Sequence, residues 1–256
     1  MVDTPLQSEP PAAPRLRWWD MALPIMGGVA MLALFSLGVA VFAFGSGNSD
    51  VIRGLANHLQ SKDEAYLLNM GIMAALYLPP MGVMFRIARR RGLDFFHSVP
   101  MRVAGWAFAG GIAYAAVFEL VQDGLISSGI VSFTPSPGEL LLIPHNILQL
   151  ALGLLVAAVI GPFVEEFYFR GLLLSWCRGK MSLALATLIN AGLFGIVHFY
   201  FLQHPGGAGI LVTLAIAAFG ALNVWWVVRT GSLWPAFASH AAYNGAGLIL
   251  MFLFPG

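Results

Sequence analysis

Charge is scarce in this chain: only 10% of its 256 residues are Asp, Glu, Lys or Arg, while 59% are hydrophobic. Soluble globular domains carry about 25% charged residues, so that class is excluded. Cysteine is nearly absent. Cys177 is the only one, which rules out an intrachain disulfide and leaves the redox compartment open. No basic face remains once the apolar runs are set aside, so nucleic acid is not an expected partner. Internal repeats and domain boundaries are missing too, and so is any His-Glu-x-x-His zinc motif. What is present in abundance is apolar sequence. A mean hydropathy of +0.80 makes this an integral membrane protein.

A helical span needs about 20 mostly apolar residues. Seven segments qualify: 21–45, 65–85, 103–122, 145–165 with helix continuing to about 177, 182–203, 208–228 and 233–254. The expected fold is therefore all-α, a polytopic membrane helix bundle. Residues 1–20 read as a proline-rich, disordered cytoplasmic segment, and 21–256 as one membrane-embedded domain. The first span exceeds a signal-peptide core in length and reads as an anchor. With the N-terminus inside, Arg15, Arg17, Arg86, Arg89, Arg90, Arg91, Arg102, Arg170, Arg178, Lys180 and Arg229 fall on the inner side, and only Arg53 and Lys62 on the outer. All seven tryptophans fall at inner span ends, the headgroup level that indole rings favour. The small size, lone cysteine and short loops suit a prokaryotic inner membrane.

Against this background the polar residues of the last four spans stand out. An ionised carboxylate at the bilayer centre costs about 2.5–3.5 kcal/mol on insertion scales, and Glu165 and Glu166 are adjacent. Glu166 and Arg170 are four apart, so they face each other on a helix, and a guanidinium can fork two hydrogen bonds onto a carboxylate. That pair reads as structural. Glu165 points about 100° away and has no partner on its own helix. His198 ends the run Phe194-Gly-Ile-Val-His198, and His240-Ala-Ala-Tyr-Asn244 puts an imidazole and an amide on one helical face. Taken alone, His240 and Asn244 could as well hold helices together. As a set, a carboxylate, two imidazoles and a carboxamide suit water-mediated amide hydrolysis, with the carboxylate taking the water's proton and the donors stabilising an oxyanion.

Depth tests the set. At 1.5 Å per residue, Glu165 lies about 18 Å above the end of its helix near Cys177, and His198 about 24 Å above Ser182. His240 lies only about 10 Å above a start at Leu233 by the same rise. Either the seventh span begins deeper or the site slopes inward, and an inward-opening cavity is the expectation.

Glu165-Glu166-x-x-x-Arg170, Phe194-x-x-x-His198 and His240-x-x-x-Asn244 resemble the three motifs of the CPBP family, the CAAX proteases and bacteriocin-processing (Abi) enzymes. The match covers the C-terminal half, about 145–254. The resemblance implies an all-α intramembrane endopeptidase related to the prenyl-CAAX endopeptidases. In it Glu165 would activate water with His198, His240 and Asn244 would bind the oxyanion, and Glu166, Arg170 and Phe194 would support the site. The implied substrate is a peptide or membrane-anchored protein, lipid-modified or not. No cofactor is required by this reading; the alternative is a divalent ion such as zinc on Glu165, His198 and His240. Two other functions fit membrane acids and histidines: a transporter or channel, and a non-catalytic immunity or scaffold protein. No paired halves with broken helices favour the transporter. Glu119, His145 and Asn146 read as outer-end residues, and His58 and His97 as loop residues.

Overall fold

The computed structural model describes residues 16–45, 61–204 and 207–254, which are helical with no strand among them. Seven helices carry the fold: α1 (Trp18–Gly45), α2 (Lys62–Arg91), α3 (Met101–Ser127), α4 (Ile147–Arg178), α5 (Leu183–Ile196), α6 (Gly207–Thr230) and α7 (Trp234–Leu253). Single helical turns lie at Pro137–Leu140 and Tyr200–Gln203. Helices α2 to α7, with α5 taken through Gln203, are long and apolar enough to cross a membrane, and α1 is apolar over Trp18–Leu34. In a bilayer each backbone N–H and C=O must find its partner inside the segment, which is why such runs become helices. The polytopic all-α bundle expected from the sequence is the fold found.

The borders differ from expectation where side chains intervene. α1 starts at Trp18, so the end of the expected disordered segment is helical, with the Arg17 amide donating to Asp20 Oδ2 at 2.8 Å. Residues 1–15, and His58, lie outside the described ones. The fifth span is broken rather than continuous: α5 ends at Ile196 and Phe199 takes a left-handed φ of 57°, which turns the chain directly after His198. A non-glycine residue in that region is uncommon. Asn146 caps α4 by accepting from the Gln149 amide at 3.0 Å, and Gln149 in turn donates to Asp63 at 2.7 Å.

Helix α4 is not uniform. Two π-helical stretches, Leu154–Ile160 and Phe167–Leu173, flank the α-helical turn Gly161–Glu166 that carries both glutamates. In each stretch a carbonyl accepts from an asparagine of a neighbouring helix: Ala157 from Asn244 at 2.8 Å and Phe169 from Asn190 at 2.6 Å. Such widened turns collect at functional sites, because they re-aim side chains within an otherwise rigid helix.

Helix α7 begins beside the middle of α4 rather than at that helix's Arg178 end. The extended segment after α2 tucks under the α6–α7 turn, where Ser232 Oγ donates to the His97 carbonyl at 2.8 Å, the Leu233 amide to Phe95 at 2.8 Å and the Trp234 indole to Phe96 at 3.0 Å. The Trp234 ring lies 6.5 Å from Phe163 of α4, two residues before Glu165, whereas α4 runs on to Arg178. The depth mismatch of His240 is thereby resolved by the deep start of its helix, not by an inward-sloping site. Two cavities at the arginine-rich end, of about 570 and 580 Å³, are lined by residues such as Arg17, Trp176 and Lys180, and by Phe85 and Arg86. None of the motif residues lines either, so the inward-opening cavity expected at the site is not one of them.

Candidate active site

Helices α4, α5 and α7 bring Glu165, His198 and His240 together. Glu165 Oε2 stands 4.0 Å from His198 Nε2 and 3.8 Å from His240 Nε2. Each ring is aimed by its other nitrogen. His198 Nδ1 lies 2.7 Å from the Phe194 carbonyl one turn back, and His240 Nδ1 lies 2.8 Å from Glu166 Oε1. Carbonyl and carboxylate oxygens only accept, so Nδ1 is the protonated nitrogen in both rings and Nε2 faces Glu165 in both. The His240 side chain is buried, while those of Glu165 and His198 are 20% and 28% exposed, so the site is reached from the Glu165–His198 side.

Behind this group lies a buried charge pair. Glu166 and Arg170 are both enclosed, and Arg170 Nη1 is 3.2 Å from Glu166 Oε1. The forked pair expected from the spacing does not form: no Arg170 N–H is aligned on the carboxylate, and Glu166 Oε2 has no hydrogen-bond partner. Oε1 instead accepts from two donors, His240 Nδ1 and Asn223 Nδ2 at 3.1 Å, with the Arg170 charge beside them. The guanidinium carbon lies over the Phe194 ring, 4.0 Å from its centre, a cation–π contact that shares its charge. Gly220 makes room for it, because a Cβ there would sit 2.9 Å from Arg170 Nη2. Phe194 thus serves three neighbours: it underlies Arg170, binds His198 through its carbonyl and meets the His240 ring edge-on at 5.6 Å.

Asn244 stands apart. Its amide donates to the Ala157 carbonyl, so one N–H ties α7 to the first π stretch of α4. That is the helix-joining reading of the His240–Asn244 pair, and it leaves the second N–H for other work.

Three polar partners were not picked out from the sequence. Asn223 and Asn190 carry a signal that could have found them, since a fully buried carboxamide in an apolar span is costly unless bonded. Tyr77, whose hydroxyl donates to Glu165 Oε1 at 2.7 Å, carries none.

As a metal site the set fits poorly. Zinc ligands at about 2.0–2.1 Å from the ion stand about 3.3 Å from one another, closer than the carboxylate–imidazole separations here. Among the described residues no three His, Cys, Asp or Glu side chains form a metal-holding group.

A polytopic helical membrane protein with a carboxylate flanked by two oriented imidazoles is the class that fold and site define. Comparison with known proteins narrows it. Residues 147–246, which hold every motif residue, match the family model described as "Type II CAAX prenyl endopeptidase Rce1-like". Over that stretch the chain carries an Rce1-like domain, and the family resemblance read from the three motifs is borne out. Two Bacillus subtilis (strain 168) proteins are similar: "Uncharacterized protein YyaK", 29% identical over 53% of this chain and 44% of its own, and "Putative membrane peptidase YdiL", 26% identical over 54% and 52%. The chain thus spans about half the length of these curated relatives. No solved structure matches significantly.

Proposed function

We propose that the protein is an intramembrane endopeptidase that hydrolyses a peptide bond of a membrane-associated or lipid-modified peptide or protein by a glutamate-activated water. The observation that carries this reading is the convergence of Glu165 Oε2 with the two Nε2 atoms at 3.8 and 4.0 Å. These separations are too long for direct hydrogen bonds and suit one bridging water. Glu165 takes a proton from that water as its oxygen adds to the scissile carbonyl carbon, and His198 Nε2 accepts from the water and orients it. The tetrahedral oxyanion accepts from the second N–H of Asn244 and, with His240 carrying a proton on both ring nitrogens, from its Nε2–H. When the C–N bond breaks, the proton held by Glu165 passes to the leaving amine. Glu166, with Arg170 and Asn223 around it, keeps the His240 ring turned to the site. The relative's printed name, "Putative membrane peptidase YdiL", and the Rce1-like domain support the reaction class.

We further propose that the arginine-rich end faces the cytoplasm of a bacterial plasma membrane, with the N-terminus inside. The substrate would reach the partly exposed Glu165–His198 side from within the bilayer.

Mass-spectrometric comparison of membrane peptides from cells with and without the protein identifies candidate substrates. In membranes carrying Glu165→Gln or His198→Ala, cleavage of the identified peptide falls by about 10²–10⁴ or is lost, and a chelator leaves wild-type cleavage unchanged. Full activity of Glu165→Gln would overturn the mechanism.

A further inference from the structure

The two oxygens of the Glu165 carboxylate keep different company. Oε2 faces both imidazoles, whereas Oε1 accepts from the Tyr77 hydroxyl at 2.7 Å. Tyr77 belongs to α2, 88 residues away and outside the stretch matched by the family model. Its approach is shaped by the backbone of α4. Gly161 lies one turn before Glu165, and a Cβ there would come within 3.3 Å of the Tyr77 ring, tighter than side chains normally pack. Positions four apart share a helical face, so the bare backbone at 161 is the berth of the ring and the carboxylate at 165 is the acceptor for its hydroxyl.

A carboxylate turns readily about its terminal torsion, which interchanges its two oxygens. A base that must meet one water between two rings loses effectiveness when it turns. A phenol has a single proton to donate, and a carboxylate can only accept it. We infer that Tyr77 is a positioning residue: its hydroxyl fixes Oε1, so that Oε2 alone works as the base between His198 and His240. The inference rests on the proposed role of Glu165. Tyr77 itself gives up no proton during the reaction, and it touches the carboxylate, not the substrate.

Tyr77→Phe keeps the ring in its berth and removes only the hydroxyl. With the peptide identified above, kcat falls on the order of 10², the scale of a displaced catalytic group, while KM is unchanged. Gly161→Ala, which keeps the hydroxyl but crowds the ring, lowers kcat by less and also spares KM. The contact is read without turnover by infrared spectroscopy of protein carrying ring-labelled tyrosine. The phenol C–O band that disappears in Tyr77→Phe shifts in Glu165→Gln. An unmoved band overturns the contact. A shifted band with wild-type kcat in Tyr77→Phe, or with an effect on KM alone, overturns the positioning role. Full cleavage by Glu165→Gln with a shifted band takes down the base assignment and the positioning role with it, while the contact stands.

Discussion

Glu166 shows how a charge is kept inside an apolar bundle. Its Oε1 meets His240, Asn223 and Arg170 within 2.8–3.2 Å, and the guanidinium spreads its own charge over the Phe194 face. Removing one partner of a buried pair leaves the other uncompensated, which typically costs about 3–5 kcal/mol. Arg170→Met is therefore expected to destabilise the folded protein by that amount. Asn223→Leu, which removes one of several donors, is expected to cost about 1–3 kcal/mol. Denaturant titration of the purified variants in micelles checks both, and equal effects would contradict the ranking.

At the scale of helices, two close approaches set where the imidazoles stand. α3 meets α7 where Gly111 lies against the Ser239 backbone, next to His240, and α5 meets α6 where Gly195 lies against Thr213. A Cβ at 195 would sit 2.5 Å from the Thr213 carbonyl oxygen, whereas one at Gly192 would meet nothing within 4 Å. Gly195→Ala is expected to push α5 off α6, move His198 away from Glu165 and lower cleavage at least tenfold, with a stability loss of about 1–3 kcal/mol. Gly192→Ala, on the same helix, gains up to about 1 kcal/mol of helix propensity and leaves cleavage unchanged. The matched pair separates crowding from any general effect of replacing glycine.

At the scale of the whole molecule, Arg17, Arg91 and Lys180 gather at one end with Trp18, Trp19 and Trp176, whereas Trp234 lies deeper, beside Phe163. There Arg91 pairs with Asp20 at 2.8 Å and α2, α4 and α1 close around Trp18, Trp19 and Trp176. The opposite side is closed by His204, which lies between the Thr134 carbonyl and Glu139 at 3.1 Å from each and stacks on Phe133. Cys177 is fully buried, so its replacement by alanine gives a background for surface labelling. On that background Lys180→Cys is expected to react with an impermeant thiol reagent only from the cytoplasmic side, and Ser128→Cys only from the outside. Reversed labelling would invert the proposed orientation.

Much of this molecule was legible in its sequence. The seven helices follow from apolar runs, because a bilayer leaves backbone polar groups no partner but their own helix. The nearness of Glu166 and Arg170 follows from their four-residue spacing, and the motifs marked Glu165, His198 and His240 as belonging to one site. What the sequence could not show depends on contacts between residues far apart in the chain. The hydroxyl of Tyr77 on Glu165 and the amide of Asn223 on Glu166 span 88 and 57 residues. The missing fork of Arg170 is decided by how Phe194 and Gly220 shape its berth. The depth of His240 depends on a loop that lifts the start of α7. Local spacing and solvent cost determined the helices and the choice of polar residues; only the packing of one helix on another decided which oxygen faces which nitrogen.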